Sequence, residues 1–133
     1  MRRLMIKLSV LIKLQISYFV AGLAYNIVSY LFLITYGQTL ATTPPLNGVL
    51  SMLLYFALLI PAMLKHIRLY RILMAIAILV YGYGGIFVHI QNYLAGSTLY
   101  HSTLAWFLAI AINGFGLCLN LLAVSGKFVT DQE

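Results

Sequence analysis

The stretch from Arg71 to Asn92, RILMAIAILVYGYGGIFVHIQN, carries no charge after its first residue. A helix rises about 1.5 Å per residue, so about twenty residues cross the roughly 30 Å hydrocarbon core of a bilayer. The stretch reads as a membrane-spanning helix over 72–92. Its small and polar residues are ordered. Ala75, Gly82, Gly85, His89 and Asn92 follow one another at spacings of seven, three, four and three, which predicts one shared helical face. Lipid has no use for such a stripe, whereas a neighbouring helix does.

Three more stretches read the same way, at about 14–35, 46–64 and 102–124. Gln15, Gly22, Asn26 and Ser29 share a face of the first, and Gly48, Ser51, Tyr55 and Ala62 a face of the second. Ser102, Ala105, Ala109, Asn113, Gly116, Asn120 and Ala123 form the longest stripe, on the last. Pro44 and Pro45 suit a helix start, where a missing N–H does no harm. Pro61 is expected to bend the end of the second helix. The expected fold is therefore all-α: a single domain over 1–133, an integral membrane four-helix bundle preceded by a basic lead-in over 1–13. That lead-in reads as an interfacial amphipathic segment or as an extension of the first helix.

Composition agrees with this class. Only 8% of the 133 residues are charged and 63% are hydrophobic, with a mean hydropathy of +1.01. A soluble domain carries about a quarter charged residues. The start MRRLMIKL resembles a secretory leader, with Ala21 to Ala24 as small residues for cleavage. Against that, Lys13 interrupts the early apolar run, and the run continues to Ile34. Aligning Tyr25 with Tyr81 gives a faint echo between the two halves, with too few matches to establish a duplication.

The net charge is +6, from eight basic and two acidic residues. Every basic residue lies in the lead-in, in the turn KHIRLYR (65–71) or at Lys127. By the positive-inside rule both termini and that turn are expected to face the cytoplasm, in a bacterial inner membrane. Lys65, Arg68 and Arg71 are expected to meet anionic lipid headgroups. The lipid bilayer and other membrane subunits or a second copy are the expected partners, not nucleic acid. Tyr36, Tyr93, Tyr100 and Trp106 fall where an aromatic belt would sit on the opposite side.

The absences narrow the chemistry. No Asp or Glu precedes Asp131, so a carboxylate proton relay, a hard-cation site and a glycosidase pair all lack their groups. Cys118 is the single cysteine and has no partner for a disulfide or a metal cluster. No self-contained catalytic constellation is evident, and no metal site is expected.

The side chains left to consider are of two kinds. Gly22, Asn26, Ser51, Ala105, Ala109, Asn113, Gly116 and Asn120 suit close packing between helices, with small residues at the contacts and amides bonding across them. His89 and His101 flank one connection and suggest axial ligation of a haem iron. Tyr81 and Tyr83, beside Gly82 and Gly85, suggest a flat ligand such as a quinone. Three functions follow as expectations. The first is a non-catalytic accessory or assembly subunit of a larger membrane complex. The second is a small carrier for lipid or a lipid-linked substrate, working as a dimer. The third is an electron-transfer subunit holding haem or quinone. In the first helix, FVAGLAYNIVSYLF (19–32) resembles the GtrA-like family of small four-span proteins linked to lipid-linked sugar translocation. The likeness covers that one helix, and it implies the second function without assigning any residue.

Overall fold

A computed structural model describes residues 5–130. Arg2 and Arg3 of the lead-in and the acidic Asp131 and Glu133 lie outside the described residues. Apart from short connections and one small strand pair, the described chain is helical. The helices are α1 (Leu8–Tyr36), α2 (Pro45–Met63), α3 (Ile67–Gly82), α4 (Val88–Ala95) and α5 (Thr103–Ser125). A π-helical turn over Tyr83–Phe87 joins α3 to α4, so Ile67–Ala95 is one long helix of 29 residues. Four helices are thus long and apolar enough to cross a membrane. The first and third, at 29 residues each, reach about 43 Å, beyond the roughly 30 Å core.

The four long helices run up and down around a common core. α1 packs on α2 and α5, and α3 packs on the same two. Large apolar side chains point outward in all four, including Ile34, Leu54, Leu79 and Phe107. That is the reverse of a water-soluble bundle and suits a lipid surround. The interior holds Leu11, Tyr18, Tyr55, Leu59, Tyr70, Met74 and Ala77, none more than 1% exposed.

Local chemistry sets the ends. Gly37 and Gly126 close α1 and α5 in the left-handed region, at φ 71° and 68°, where glycine has no Cβ penalty. Ser102 caps α5: its Oγ accepts from the Ala105 N–H at 3.0 Å. The turn from α2 to α3 is tighter. There Lys65 itself takes the left-handed conformation, at φ 64°. Pro61 lies inside the last turns of α2, and its carbonyl accepts from His66 N–H at 2.7 Å.

Three expectations need correction. Of the two readings of the lead-in, the extension of the first helix holds from Leu8 onward, whereas Ile6–Lys7 is a short strand, β1, instead of part of an amphipathic segment. β1 pairs in parallel with β2 (Phe128–Val129), Ile6 opposite Phe128. Arg71 is not simply free for headgroups. Its Nε and Nη2 donate to the Val124 carbonyl at 3.2 and 2.7 Å, a cation on the carbonyl end of α5. Finally, the inward face of α3 is Tyr70, Met74, Ala77 and Tyr81 rather than Ala75 and Gly82. At about 100° per residue, Tyr81 and His89 would sit about 80° apart on an unbroken α-helix. The wider π turn absorbs that offset, so Tyr81 and His89 are both buried.

Candidate functional site

Two polar layers cross the bundle. The lower one lies toward the end that holds both termini and takes one residue from each long helix. Gln15 Nε2 donates to Asn120 Oδ1 and to Met74 Sδ, both at 3.2 Å. Tyr55 donates to the same Asn120 oxygen at 2.7 Å, and Tyr70 donates to Gln15 Oε1 at 2.6 Å. Gln15, Tyr55, Tyr70 and Asn120 are at most 1% exposed. Asn120 Nδ2 is buried and has no hydrogen-bond partner among the described residues. This layer ties the four long helices together in the lower half.

The upper layer surrounds a cavity of about 240 Å³. At about 30 Å³ per water it has room for roughly eight waters. That is smaller than the pockets that enclose a whole drug-sized ligand, at about 300–1,000 Å³. Asn26, Gly48, Ser51, Tyr81, His89 and Asn113 line it, with Thr43 from the connection above. Among the described residues, no Lys, Arg, Asp or Glu lines it.

The cavity exists because α2 packs along α3 but hardly touches the π turn or α4, which lean on α5 instead. Its mouth follows from helix geometry. A Cβ on Gly82 would meet Leu117, and one on Gly85 would meet Asn113, so that flank faces α5. Val80 and Gly84 then fall on the opposite flank, toward α2. Both line the cavity and both are exposed. A Cβ on Gly84 would meet nothing within 4 Å. The cavity opens sideways at Val80 and Gly84, between α2 and the third long helix.

Most side-chain donors around the cavity are committed to acceptors within the chain. Tyr25 donates to the Ala105 carbonyl at 2.7 Å and Tyr81 to the Ser51 carbonyl at 2.6 Å. Tyr18 donates to Asn113 Oδ1 at 3.1 Å. The amide nitrogens of Asn26 and Asn113 donate to the carbonyls four residues back, Gly22 and Ala109, both at 2.8 Å.

The roof is built from the two connections at this end. Leu40 N–H donates to Ser29 Oγ at 2.9 Å, and the Leu40 carbonyl accepts from His101 N–H at 3.1 Å. Asn92 Nδ2 donates to Thr42 Oγ1 at 3.0 Å. Below the roof, His89 is 5% exposed. Its Nδ1 lies 2.7 Å from the Tyr100 hydroxyl. That hydroxyl donates to the His89 carbonyl at 3.2 Å, and Trp106 Nε1 donates to the same carbonyl at 3.1 Å.

The sequence-derived candidates separate here. Tyr81, Gly85 and His89 line the cavity, while Gly82, Tyr83 and His101 do not. Tyr83 is 62% exposed and stacks on Phe87 at 5.5 Å. His101 is exposed and sits edge-on to Phe32 at 4.7 Å. The two histidines therefore do not face a common space, and the pair expected to ligate haem is not assembled. Their side chains diverge because His89 turns inward to Tyr100, whereas His101 lies outside the roof. Among the described residues there is no cluster of three or more His, Cys, Asp or Glu.

The packing candidates meet partners within the chain. Gly22 receives Met52, Gly48 receives Asn26, Gly85 receives Asn113 and Gly116 receives the Tyr18 ring. Ala105 and Ala109 are buried on α5. The residues that sequence reasoning missed are Tyr100, placed in an aromatic belt but 2% exposed, and Gly84, whose bareness forms the mouth. The run of three glycines at 82, 84 and 85 carried that signal without showing which of them would face the gap.

No protein-family model matches the chain, and neither the curated proteins nor the solved structures contain a match to it.

Proposed function

We propose that this is an integral membrane carrier for a lipid or lipid-linked molecule, holding the polar head in the cavity while the tails stay in the bilayer. One observation carries the reading: a head-sized cavity, lined by uncharged polar groups, opens through the side of the bundle at Val80 and Gly84. A ligand that reaches a protein from the bilayer needs a lateral mouth and an interior more polar than lipid. The proposed role is non-catalytic.

We place both termini and the α2–α3 turn on the cytoplasmic side. All described basic residues, from Lys7 and Lys13 to Lys65, Arg68, Arg71 and Lys127, belong to the end of the bundle that holds the strand pair, and such residues are retained on the cytoplasmic face. The accessory-subunit reading drew on small-residue faces open to partner helices. Those faces are occupied within the chain, as at Gly22, Gly85 and Gly116, so the carrier reading is better supported.

The test is lipid flux in reconstituted vesicles, followed with acyl-labelled lipids and a membrane-impermeant quencher. Gly84→Leu places a side chain in open space at the mouth. It is expected to cut flux at least several-fold while leaving the melting profile intact. Native flux no greater than in protein-free vesicles, or an unchanged rate in Gly84→Leu, would overturn the reading.

A further inference from the structure

The hydrogen-bond inventory of the cavity goes further and says what kind of head it accepts; the inference rests on the carrier reading above. Tyr100 has one hydroxyl proton and two contacts to His89, the carbonyl at 3.2 Å and Nδ1 at 2.7 Å, and both are hydrogen bonds only if the hydroxyl donates to the carbonyl. The 2.7 Å contact between Tyr100 and His89 Nδ1 then needs its proton from the imidazole, since two lone pairs at that distance repel. In that arrangement Nδ1 is the N–H of the ring, and Nε2 carries a bare lone pair. Nε2 has no partner among the described residues, although His89 is 95% buried and lines the cavity.

A second acceptor is open as well. Asn26 holds its amide orientation by donating Nδ2 to Gly22, which leaves Oδ1 toward Gly48. That oxygen has no donor among the described residues. The Tyr18, Tyr25 and Tyr81 hydroxyls and one N–H of the Asn113 amide are engaged elsewhere. Rotatable hydroxyls, such as that of Ser51, and the second N–H of the Asn26 and Asn113 amides are the side-chain donors left.

We propose that the cavity selects a head that donates hydrogen bonds and carries no negative charge, with His89 Nε2 and Asn26 Oδ1 as its acceptors and Tyr100 positioning His89. A hydroxyl-bearing head supplies O–H groups to both. A phosphate or carboxylate supplies only oxygens. It would meet the lone pairs of His89 Nε2 and Asn26 Oδ1, with no cation among the described residues lining the cavity to replace its lost solvation.

Trp106, the single tryptophan, bonds the His89 carbonyl and is a built-in reporter. In detergent micelles, dioctanoylglycerol is expected to shift its emission saturably. Dioctanoyl phosphatidate, with the same tails and an anionic head, is expected to bind at least tenfold more weakly. His89→Phe and Asn26→Ala are each expected to weaken dioctanoylglycerol binding about tenfold. Because those variants can also disturb folding, a second measurement uses the native protein. Nitrogen-15 spectra of labelled histidine are expected to show His89 protonated at Nδ1 and bare at Nε2, and Tyr100→Phe is expected to mix the two tautomers. A His89 protonated at Nε2 overturns the proposal. So does phosphatidate that binds as well as dioctanoylglycerol and is displaced by Gly84→Leu; that result leaves the carrier reading standing. If neither probe shows binding sensitive to Gly84→Leu, both fall.

Discussion

Gln15 of α1 and Asn120 of α5 are joined by a 3.2 Å hydrogen bond in the middle of an apolar bundle, and a tyrosine from each of the other two long helices holds one of them. Tyr70 donates to Gln15, and Tyr55 donates to Asn120. The four helices thereby meet at one polar knot. Hydrogen bonds between helices in a membrane average about 0.6 kcal/mol. A buried group left unpaired costs more, about 1–3 kcal/mol.

Gln15→Leu strands the Tyr70 hydroxyl and one acceptor site of Asn120, and is expected to destabilise the bundle by about 1–3 kcal/mol. Asn120→Leu strands Tyr55 and Gln15 and is expected to cost a similar amount. The double variant should cost less than the sum, with a coupling of about 0.5–3 kcal/mol. Unfolding in mixed micelles measures all three. Strict additivity would mean that the knot is not a unit.

Gly116 and Gly114 lie two residues apart on α5 and should respond in opposite ways. A Cβ on Gly116 would lie 2.6 Å from the Tyr18 ring. That ring is held by Asn113 and by an edge-on Tyr55 at 4.8 Å. Gly116→Ala is expected to cost about 1–3 kcal/mol through overpacking. A Cβ on Gly114 would meet nothing within 4 Å. Gly114→Ala is expected to stabilise by about 0.5–1 kcal/mol through helix propensity alone. Thermal unfolding of the pair checks both signs.

Lys65 occupies the left-handed region, where a side chain costs about 1–2 kcal/mol. Glycine relieves that strain but loses about 0.5–1 kcal/mol of chain entropy. Lys65→Gly is therefore expected to raise stability by about 0.5–1 kcal/mol, measured in the same micelles.

The proposed topology can be read with an impermeant maleimide on a Cys118→Ala background. Thr98→Cys, in the connection far from the termini, should label in intact cells. Lys65→Cys should label only after the membrane is opened. The reverse pattern would invert the molecule.

The existence of four long apolar helices is legible in the sequence because apolar length alone decides it. The α5 stripe is legible too: Ala105, Ala109, Gly116, Asn120 and Ala123 keep helical spacing without interruption and are buried. The third long helix is different. A fixed 3.6-residue period put Ala75 and Gly82 inward, but the π turn resets the phase between Tyr81 and His89, and no periodicity argument carries across it. Bulky Tyr18, Tyr55 and Tyr70 line the core because their hydroxyls find acceptors on other helices. That depends on tertiary neighbours. The separation of His89 from His101 likewise depends on how the roof folds. β1 and β2 have two residues each, too few for an alternating pattern to register.

That strand pair also orders events in time. Ile6 is synthesised before all four long helices and Phe128 after them, so the backbone groups of Ile6 and Lys7 wait for their partners while every helix is made. Closing the ladder necessarily follows the synthesis of all four helices. A nascent chain stalled before Phe128 can hold all four helices and still display an unpaired strand edge, a signature by which quality-control proteases could tell an unfinished copy from a finished one.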